Sequence, residues 1–426
     1  MGSAVRKGRT ALTATAALGV VIASSLLTGC GSSGSGDVTL KLVAADYGDS
    51  ADNSSQKYWD ALADAYEKDH PDTKVDVVVY SWEDVDRKVK EMVDAGKAPD
   101  MAQVGAYADY AAAGKLYPVS QLLSVPVQAD FVGEMSKAGE VGGTQYGMPF
   151  AASTRRLFYN KDLFEKADIE PPKTWSQLVS AARALKAQGV TYPFALPLGG
   201  EEAQAETLIW MLSNGGGYTD NVGAYSIDTQ QNIHALNWLK EDLVTPGLTG
   251  PTAPARLNRT PAFKAFADGD VGMLSGHPTL INMAKAKGLD YGDVAVPGPD
   301  GTPKSRMGVT DWMMAFKQGG HAKQVGSFLD YVYSEKNVLD FSREYTVAPV
   351  TVSASDVMKA APQDKALAPF IDELAGATYY PANKTSWPEV SAEIKKQIGT
   401  TVGPNGSAAA TLGRIQNDAA AAEAAE

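Results

Sequence analysis

The stretch Tyr146-Gly-Met-Pro-Phe-Ala-Ala-Ser-Thr-Arg-Arg-Leu-Phe-Tyr-Asn160 reads as one extended run, and Lys161-Asp-Leu-Phe-Glu-Lys-Ala167 directly after it reads as a short helix. We take this stretch as the point where the chain leaves one α/β lobe and enters a second. On its N-terminal side, strand and helix patterns alternate. Residues 38–44 are apolar, Trp59, Leu62, Ala63 and Tyr66 share a helical face that stops at His70-Pro71, and residues 74–80 are a valine-rich strand. Ser81 with Asp84 three residues on predicts a capping-box start for a helix carrying Val85, Val89 and Met92, with Gly96 at its stop. Residues 101–104 then form a third buried strand. Strands separated by helices predict a parallel sheet with right-handed crossovers.

On the C-terminal side, Pro171-Pro172 and Thr174, with Gln177 three on, start a capped helix with Trp175, Leu178, Ala182 and Leu185 inward and Gly189 beyond its end. Phe263 and Phe266 precede the turn Asp268-Gly269-Asp270 and a strand over 271–274. A further strand at 309–316 leads into a helix aligning Val325, Phe328, Leu329 and Val332. The chain therefore crosses between lobes more than once. It ends in an Ala-rich helix or frayed tail anchored by Leu412 and Ile415.

Length supports two lobes, since 426 residues exceed one ordinary core. A formal net charge of -12, with no Lys/Arg run outside the N-terminus, argues against nucleic acid as a partner. Arg6, Lys7 and Arg9 precede an apolar run over 11–27 that ends in Leu27-Thr28-Gly29-Cys30. This is the order of a secretory signal, and the run is shorter than the roughly 20 residues of a membrane span. The segment resembles a bacterial lipobox, which implies lipidation of Cys30 and anchoring to the extracytoplasmic face of the bacterial cell membrane. Cys30 is the only cysteine, so no internal disulfide is expected. Gly31-Ser-Ser-Gly-Ser-Gly36 reads as a flexible spacer.

The order of local patterns resembles the sugar-binding family of ABC-transporter solute receptors, the maltose-binding type. The segments carrying it are Lys97-Ala-Pro-Asp-Met101, Tyr146-Gly-Met-Pro149, Phe158-Tyr-Asn-Lys-Asp-Leu-Phe164, Pro171-Pro-Lys-Thr-Trp175, Ala262-Phe-Lys-Ala-Phe-Ala-Asp-Gly-Asp-Val-Gly-Met273 and Val296-Pro-Gly-Pro299. The resemblance implies an α/β, two-lobe periplasmic-binding-protein fold with the ligand cleft between lobes joined by hinge crossings. It implies sugar as ligand, permease subunits of an ABC importer as partners, a monomer, no cofactor or metal, and no catalysis. The expected division is a signal peptide at 1–29, lipidated cysteine and linker at 30–37, one lobe from 38–148 with 310–348, and the other from 149–309 with 349–426.

Loops after strands are the first place to seek a ligand, which selects Asp46, Tyr47, Trp82, Gln103 and Tyr107. A sugar needs planar polar groups for its hydroxyls and aromatic faces for its C–H surface. Asp46 reads equally as a turn carboxylate, and Trp82 as core. Ser153, Thr154 and Arg155 sit in the crossing, where the family tends to contact ligand. Glu201 and Glu202 precede an apolar helix, and their alternative reading is charge complementing its dipole. His277 lies in Ser275-Gly-His-Pro278. Asp311 and Trp312, in Gly308-Val-Thr-Asp-Trp312, form the leading pocket pair, with a core role for Trp312 as the alternative. Asn383 and Trp387 resemble the late segment that supplies an aromatic platform, although the sequence around the tryptophan departs from the maltose-binding pattern. Trp59 and Trp175 belong to helix cores.

Other classes remain open at this level. A glycosidase using two acids such as Asp46 and Asp311 is compatible with sequence, although no phosphate-binding loop, His-Glu-x-x-His or Gly-x-Ser-x-Gly occurs. A receptor of the same fold for a polyamine or glycerol phosphate would need several carboxylates or several basic donors, respectively. A surface sensor or adhesion lipoprotein is the third.

Overall fold

The computed structural model describes residues 37–48, 51–82, 84–302 and 306–425, so the lipobox, Cys30 and the spacer lie outside the described residues. Among these residues the strands are β1 Val38–Ala45, β2 Thr73–Tyr80, β3 Met101–Val104, β4 Glu140–Val141, β5 Thr144–Gln145, β6 Met148–Thr154, β7 Arg156–Asn160, β8 Tyr192–Ala195, β9 Val271–Gly276, β10 Tyr291–Val294 and β11 Gly308–Ala315. They form a five-stranded sheet in the order β2-β1-β3-β11-β6, a four-stranded sheet in the order β10-β7-β9-β8, and the β4-β5 hairpin.

The first sheet is parallel only over β2-β1-β3. There β1 matches β2 from Val38↔Thr73 to Ala45↔Tyr80 and meets β3 at Leu42↔Met101. The three strands expected to run parallel do so; β11 then enters antiparallel between β3 and β6, because the chain returns from the second sheet in the opposite direction. The connecting helix Ser55–Asp69 buries Trp59, Leu62, Ala63 and Tyr66 and is capped by the Ser54 side chain, which accepts from the Gln56 N–H. It ends as expected before Pro71, which disfavours helical backbone at the residue before it.

The second connecting helix, Val85–Asp94, departs from the predicted start. Asp84 is its N-cap residue but makes no side-chain cap bond, since its carboxylate accepts from Ser81 and pairs with Arg87. Its third inward residue is Val93, with Met92 only half-buried.

The second sheet is closed by helices whose caps match their sequence signals. Thr174 accepts from the Gln177 N–H at 3.1 Å, while the Gln177 side chain reaches back to the Lys173 N–H at 2.7 Å. Trp175 then stacks on Trp238 with centroids 4.0 Å apart. The C-terminal segment is a helix, Ala408–Glu423, held by Leu412 and Ile415.

The crossing at 146–160 is two strands separated by a single residue. Thr154 pairs with Gly308 in the first sheet and Arg156 with Gly276 in the second, so Arg155 alone spans the change of sheet. The chain returns between Val294 and Gly308. Residues 149–154 thus lie in the first sheet, and the Thr154 hydroxyl donates to the Phe370 carbonyl of the helix Ala368–Leu374 at 3.0 Å. Ala348 exchanges two backbone bonds with Ala152, and Asp130 accepts from the N–H and hydroxyl of Ser353. These contacts put 149–154 and 349–374 with the first sheet, where the sequence-based division put them in the other lobe.

Gly147 shows how tightly the crossing is seated. A Cβ there would stand 2.8 Å from the Trp312 ring and 2.9 Å from the Tyr107 ring. Gly147→Ala is expected to cost about 1–3 kcal/mol through overpacking, measurable by chemical denaturation. An unchanged midpoint would mean the two rings can part freely.

Candidate functional site

Arg155 is 5% exposed at the one-residue junction between the sheets. Its guanidinium donates to the Ser153 hydroxyl at 3.0 Å and to Glu202. Glu202 is the N-cap residue of the fully buried helix Ala203–Ser213 and makes no side-chain cap bond, so its carboxylate is directed to the arginines rather than to its own helix. It also pairs with Arg259 Nε at 2.8 Å, and Arg259 pairs with Glu201 at 2.7 Å. Glu201 further accepts from the N–H and hydroxyl of Thr260. Arg259 lies over the Phe263 ring, 5.3 Å from its centroid.

His277 closes this side. It lies 4.9 Å from Phe263 and contacts Thr279 at 2.8 Å and Arg259 at 3.4 Å. Burial first, then the charges of Arg155 and Arg259, hold its pKa well below the usual histidine value, so it is neutral at physiological pH. A concavity here is lined by Arg155, Glu202, Glu206, Arg259, Phe263 and Ser275 among others.

The facing side is built on β11. A bulge between Asp311 and Trp312 breaks its register with β6. Asp311 accepts a hydrogen bond from the Tyr47 hydroxyl at 2.7 Å, and Gln103 donates to that hydroxyl at 3.0 Å. Gln103 is fixed in turn by the Ala45 N–H at 2.9 Å. Tyr47 meets Trp82 edge-on at 5.4 Å, and Trp82 is 37% exposed. Burial pushes the Asp311 carboxyl up to about 7; Asp86 and Glu202 add to the rise, while the Tyr47 bond and Arg155 oppose it. Asp311 therefore feels groups from both sheets at once.

The structure brings together Tyr47, Trp82, Gln103, Asp311 and Ser153 on the first sheet's side, and Glu201, Glu202 and His277 on the other, with Arg155 at the junction. It does not do so for all the selected residues. Trp312 is 1% exposed and packs on Tyr107 at 5.0 Å, under Gly147. Adjacent strand residues face opposite ways, so Trp312 packs on Tyr107 on one face of the sheet while Asp311 turns to Tyr47 on the other, which corrects the pair expected from sequence. Tyr107 donates to the Ala138 carbonyl at 2.6 Å and is likewise interior. Thr154 is buried on the Phe370 carbonyl. Asp46 is engaged locally, one carboxylate oxygen accepting from the N–H groups of Gly48 and Ser55. Asn383 is exposed, and Trp387, 6% exposed, stacks on Tyr380 at 5.3 Å.

Sequence reasoning missed Arg259, Glu206, Gln204 and Tyr380. Glu206 is 5% exposed and accepts from Trp210 Nε1 at 2.8 Å and from the Ser275 hydroxyl. Burial pushes it up to about 7, against the lowering effects of those two donors and Arg155. The Gln204 side chain and the Tyr380 hydroxyl are buried against each other, with no other hydrogen-bond partner among the described residues. A carboxyl in an apolar helix, as at Glu206, was the one signal available.

Two sheets joined by one-residue and short crossings, with a partly buried polar and aromatic cluster where they meet, define a two-lobe binding protein. The chain belongs to the bacterial extracellular solute-binding protein family, whose model matches residues 50–339. It is 28% identical over 341 residues to a Brucella abortus (strain 2308) protein named only as a binding protein, covering 78% of this chain and 80% of the relative. It is 24% identical over 330 residues to the sn-glycerol-3-phosphate-binding periplasmic protein of Pectobacterium atrosepticum, covering 70% and 71%. The fold is similar to that of the cyclic α-maltosyl-1,6-maltose binding protein of Arthrobacter globiformis, with a TM-score of 0.75, 18% identity, and 92% and 100% coverage. This is the two-lobe α/β fold of periplasmic solute-binding proteins. Among the described residues no helix is long and apolar enough to cross a membrane.

Proposed function

We propose that the protein is an extracytoplasmic sugar-binding lipoprotein, anchored through Cys30, that captures a mono- or oligosaccharide between its lobes and hands it to an ABC importer as a monomer without catalysing a reaction. The observation that carries this is that Asp311, with Tyr47 and Trp82 beside it, lies within electrostatic reach of Arg155 at the junction and of Glu202 at the head of the buried helix on the second sheet's side. Planar carboxylates and a guanidinium suit vicinal hydroxyls, and the Tyr47–Trp82 corner offers aromatic surface for sugar C–H groups. Lobe limits at the Arg155 junction, between 294 and 308, and near 375 let ligand bridge both sides. A ligand with more contacts in the closed state shifts the population toward closure.

The glycerol phosphate reading, favoured by one relative's name, is the weaker fit. Both arginines of the site are already paired with carboxylates, so neither stands free for a phosphate.

A thermal-shift screen with mono- and oligosaccharides, polyamines and phosphate esters tests this. Ligand at 100 times its dissociation constant adds about 2.7 kcal/mol, a shift of a few degrees on a chain of this length. A response confined to one sugar class is expected. A response only to a charged non-sugar solute keeps the fold and overturns the sugar.

A further inference from the structure

The site carries more hydrogen-bond acceptors and acids than its own donors and cations satisfy. Arg155 is taken up by Ser153 and Glu202, and Arg259 by Glu201 and Glu202. Glu206 has only the neutral donors of Ser275 and Trp210, and Asp311 only the Tyr47 hydroxyl, among the hydrogen bonds of the described residues. The charges acting on Asp311 are Asp86 and Glu202 of like sign and Arg155 of opposite sign; those acting on Glu206 are Arg155 and Glu202. Beside Glu202 and Arg155, the Tyr380 hydroxyl and the side chain of Gln204, a residue only 8% exposed, lie against each other and have no other partner among the described residues. An arriving group that donates hydrogen bonds and carries positive charge corrects both imbalances together. An anion would have to strip a carboxylate from Arg155 or Arg259 and would then share the concavity with Glu206.

We propose, building on the saccharide reading above, that the ligand is a saccharide bearing a protonated amino group, seated between Asp311 and the Arg155–Glu202 pair, and that the site rejects phosphorylated sugars. The ammonium completes Asp311 as a charge-assisted pair, and the Tyr47–Trp82 corner next to it adds an aromatic face suited to a cation.

Calorimetric titration of the full-length protein decides this. The probes are glucosamine and its oligomers up to the tetramer, their N-acetylated counterparts of equal length, maltooligosaccharides and glucose 6-phosphate, all at pH 7. Expected is at least about tenfold tighter binding of the amino sugar than of its N-acetylated counterpart, as for one charge-assisted contact, with no binding of the phosphate. Equal or tighter binding of the N-acetylated or plain sugar overturns the amino-group inference and leaves the saccharide reading standing. Failure of every saccharide overturns both. Asp311→Asn is expected to bring the ratio close to one, with folding checked by circular dichroism. Should that variant not fold, the wild-type ratio between pH 7 and pH 5 serves instead: it shrinks on acidification as Asp311 and Glu206 take up protons, and a flat ratio overturns the inference.

Discussion

Arg155→Ala is expected to weaken ligand binding by about two orders of magnitude, close to 3 kcal/mol, while the protein still folds. The residue sits alone between β6 and β7, and its side chain fastens Ser153 of the first sheet to Glu202 at the head of the buried helix Ala203–Ser213. Truncation removes a fork of donors and loosens Glu202, so ligand must organise that carboxylate at its own expense. The cost to stability is smaller, about 1–2 kcal/mol, because Glu202 is 22% exposed and keeps Arg259 as a partner. Arg155→Lys separates the two contributions: it restores charge without the planar fork, so stability recovers more than affinity does. Titration calorimetry together with denaturant unfolding reads both quantities. Binding within about threefold of wild type for the alanine variant would remove Arg155 from the site.

The parts of the fold carried by local periodicity were legible, and those carried by long-range pairing were not. β3 runs over the four residues its apolar run predicts, and Val325, Phe328, Leu329 and Val332 share the buried face of one helix. The change of lobe was legible in the extended run ending at Asn160, but not its location at one residue, since only the partners Gly308 and Gly276 reveal which sheet each half joins. The insertion of β11 between β3 and β6 left no local trace either.

At the site, loop residues such as Tyr47 and Trp82 were accessible to reasoning about strand ends. Arg259 and Glu206 were harder to find, because Arg259 meets Glu201 from 58 positions away and Glu206 meets Ser275 from 69 positions away, and the only local mark is a carboxyl within the apolar helix that carries Glu206. Trp312 is the instructive failure: a polar residue beside an aromatic suggests a pocket, yet strand geometry forces the two side chains apart.

Glu206→Gln is expected to stabilise the protein at pH 8 by about 2–3 kcal/mol and to do almost nothing near pH 4.5. The carboxyl is buried beneath the site and pushed from 4.5 up to about 7, with burial the leading cause. Below the unfolded value both states hold the proton. As pH rises past about 4.5 the unfolded chain releases it first, while the folded chain keeps it until about 7, so the folded state binds more protons across that window. Stability then falls with rising pH, by about 1.4 kcal/mol per pH unit from this group alone, and the loss is complete above about 7. Glutamine keeps an oxygen for Trp210 Nε1 and offers an amide to the Ser275 hydroxyl, so the contacts survive while the titration disappears. Asp311 and Glu373 are raised to about 7 as well, which makes the difference between variant and wild type, rather than the wild-type profile, the quantity to measure. Denaturant unfolding at pH 5 and pH 8 gives it directly. A difference of the same size at both values would mean that Glu206 is already ionised in the fold, held so by Arg155, and that the site carries one more fixed negative charge at low pH than the burial of this helix allows.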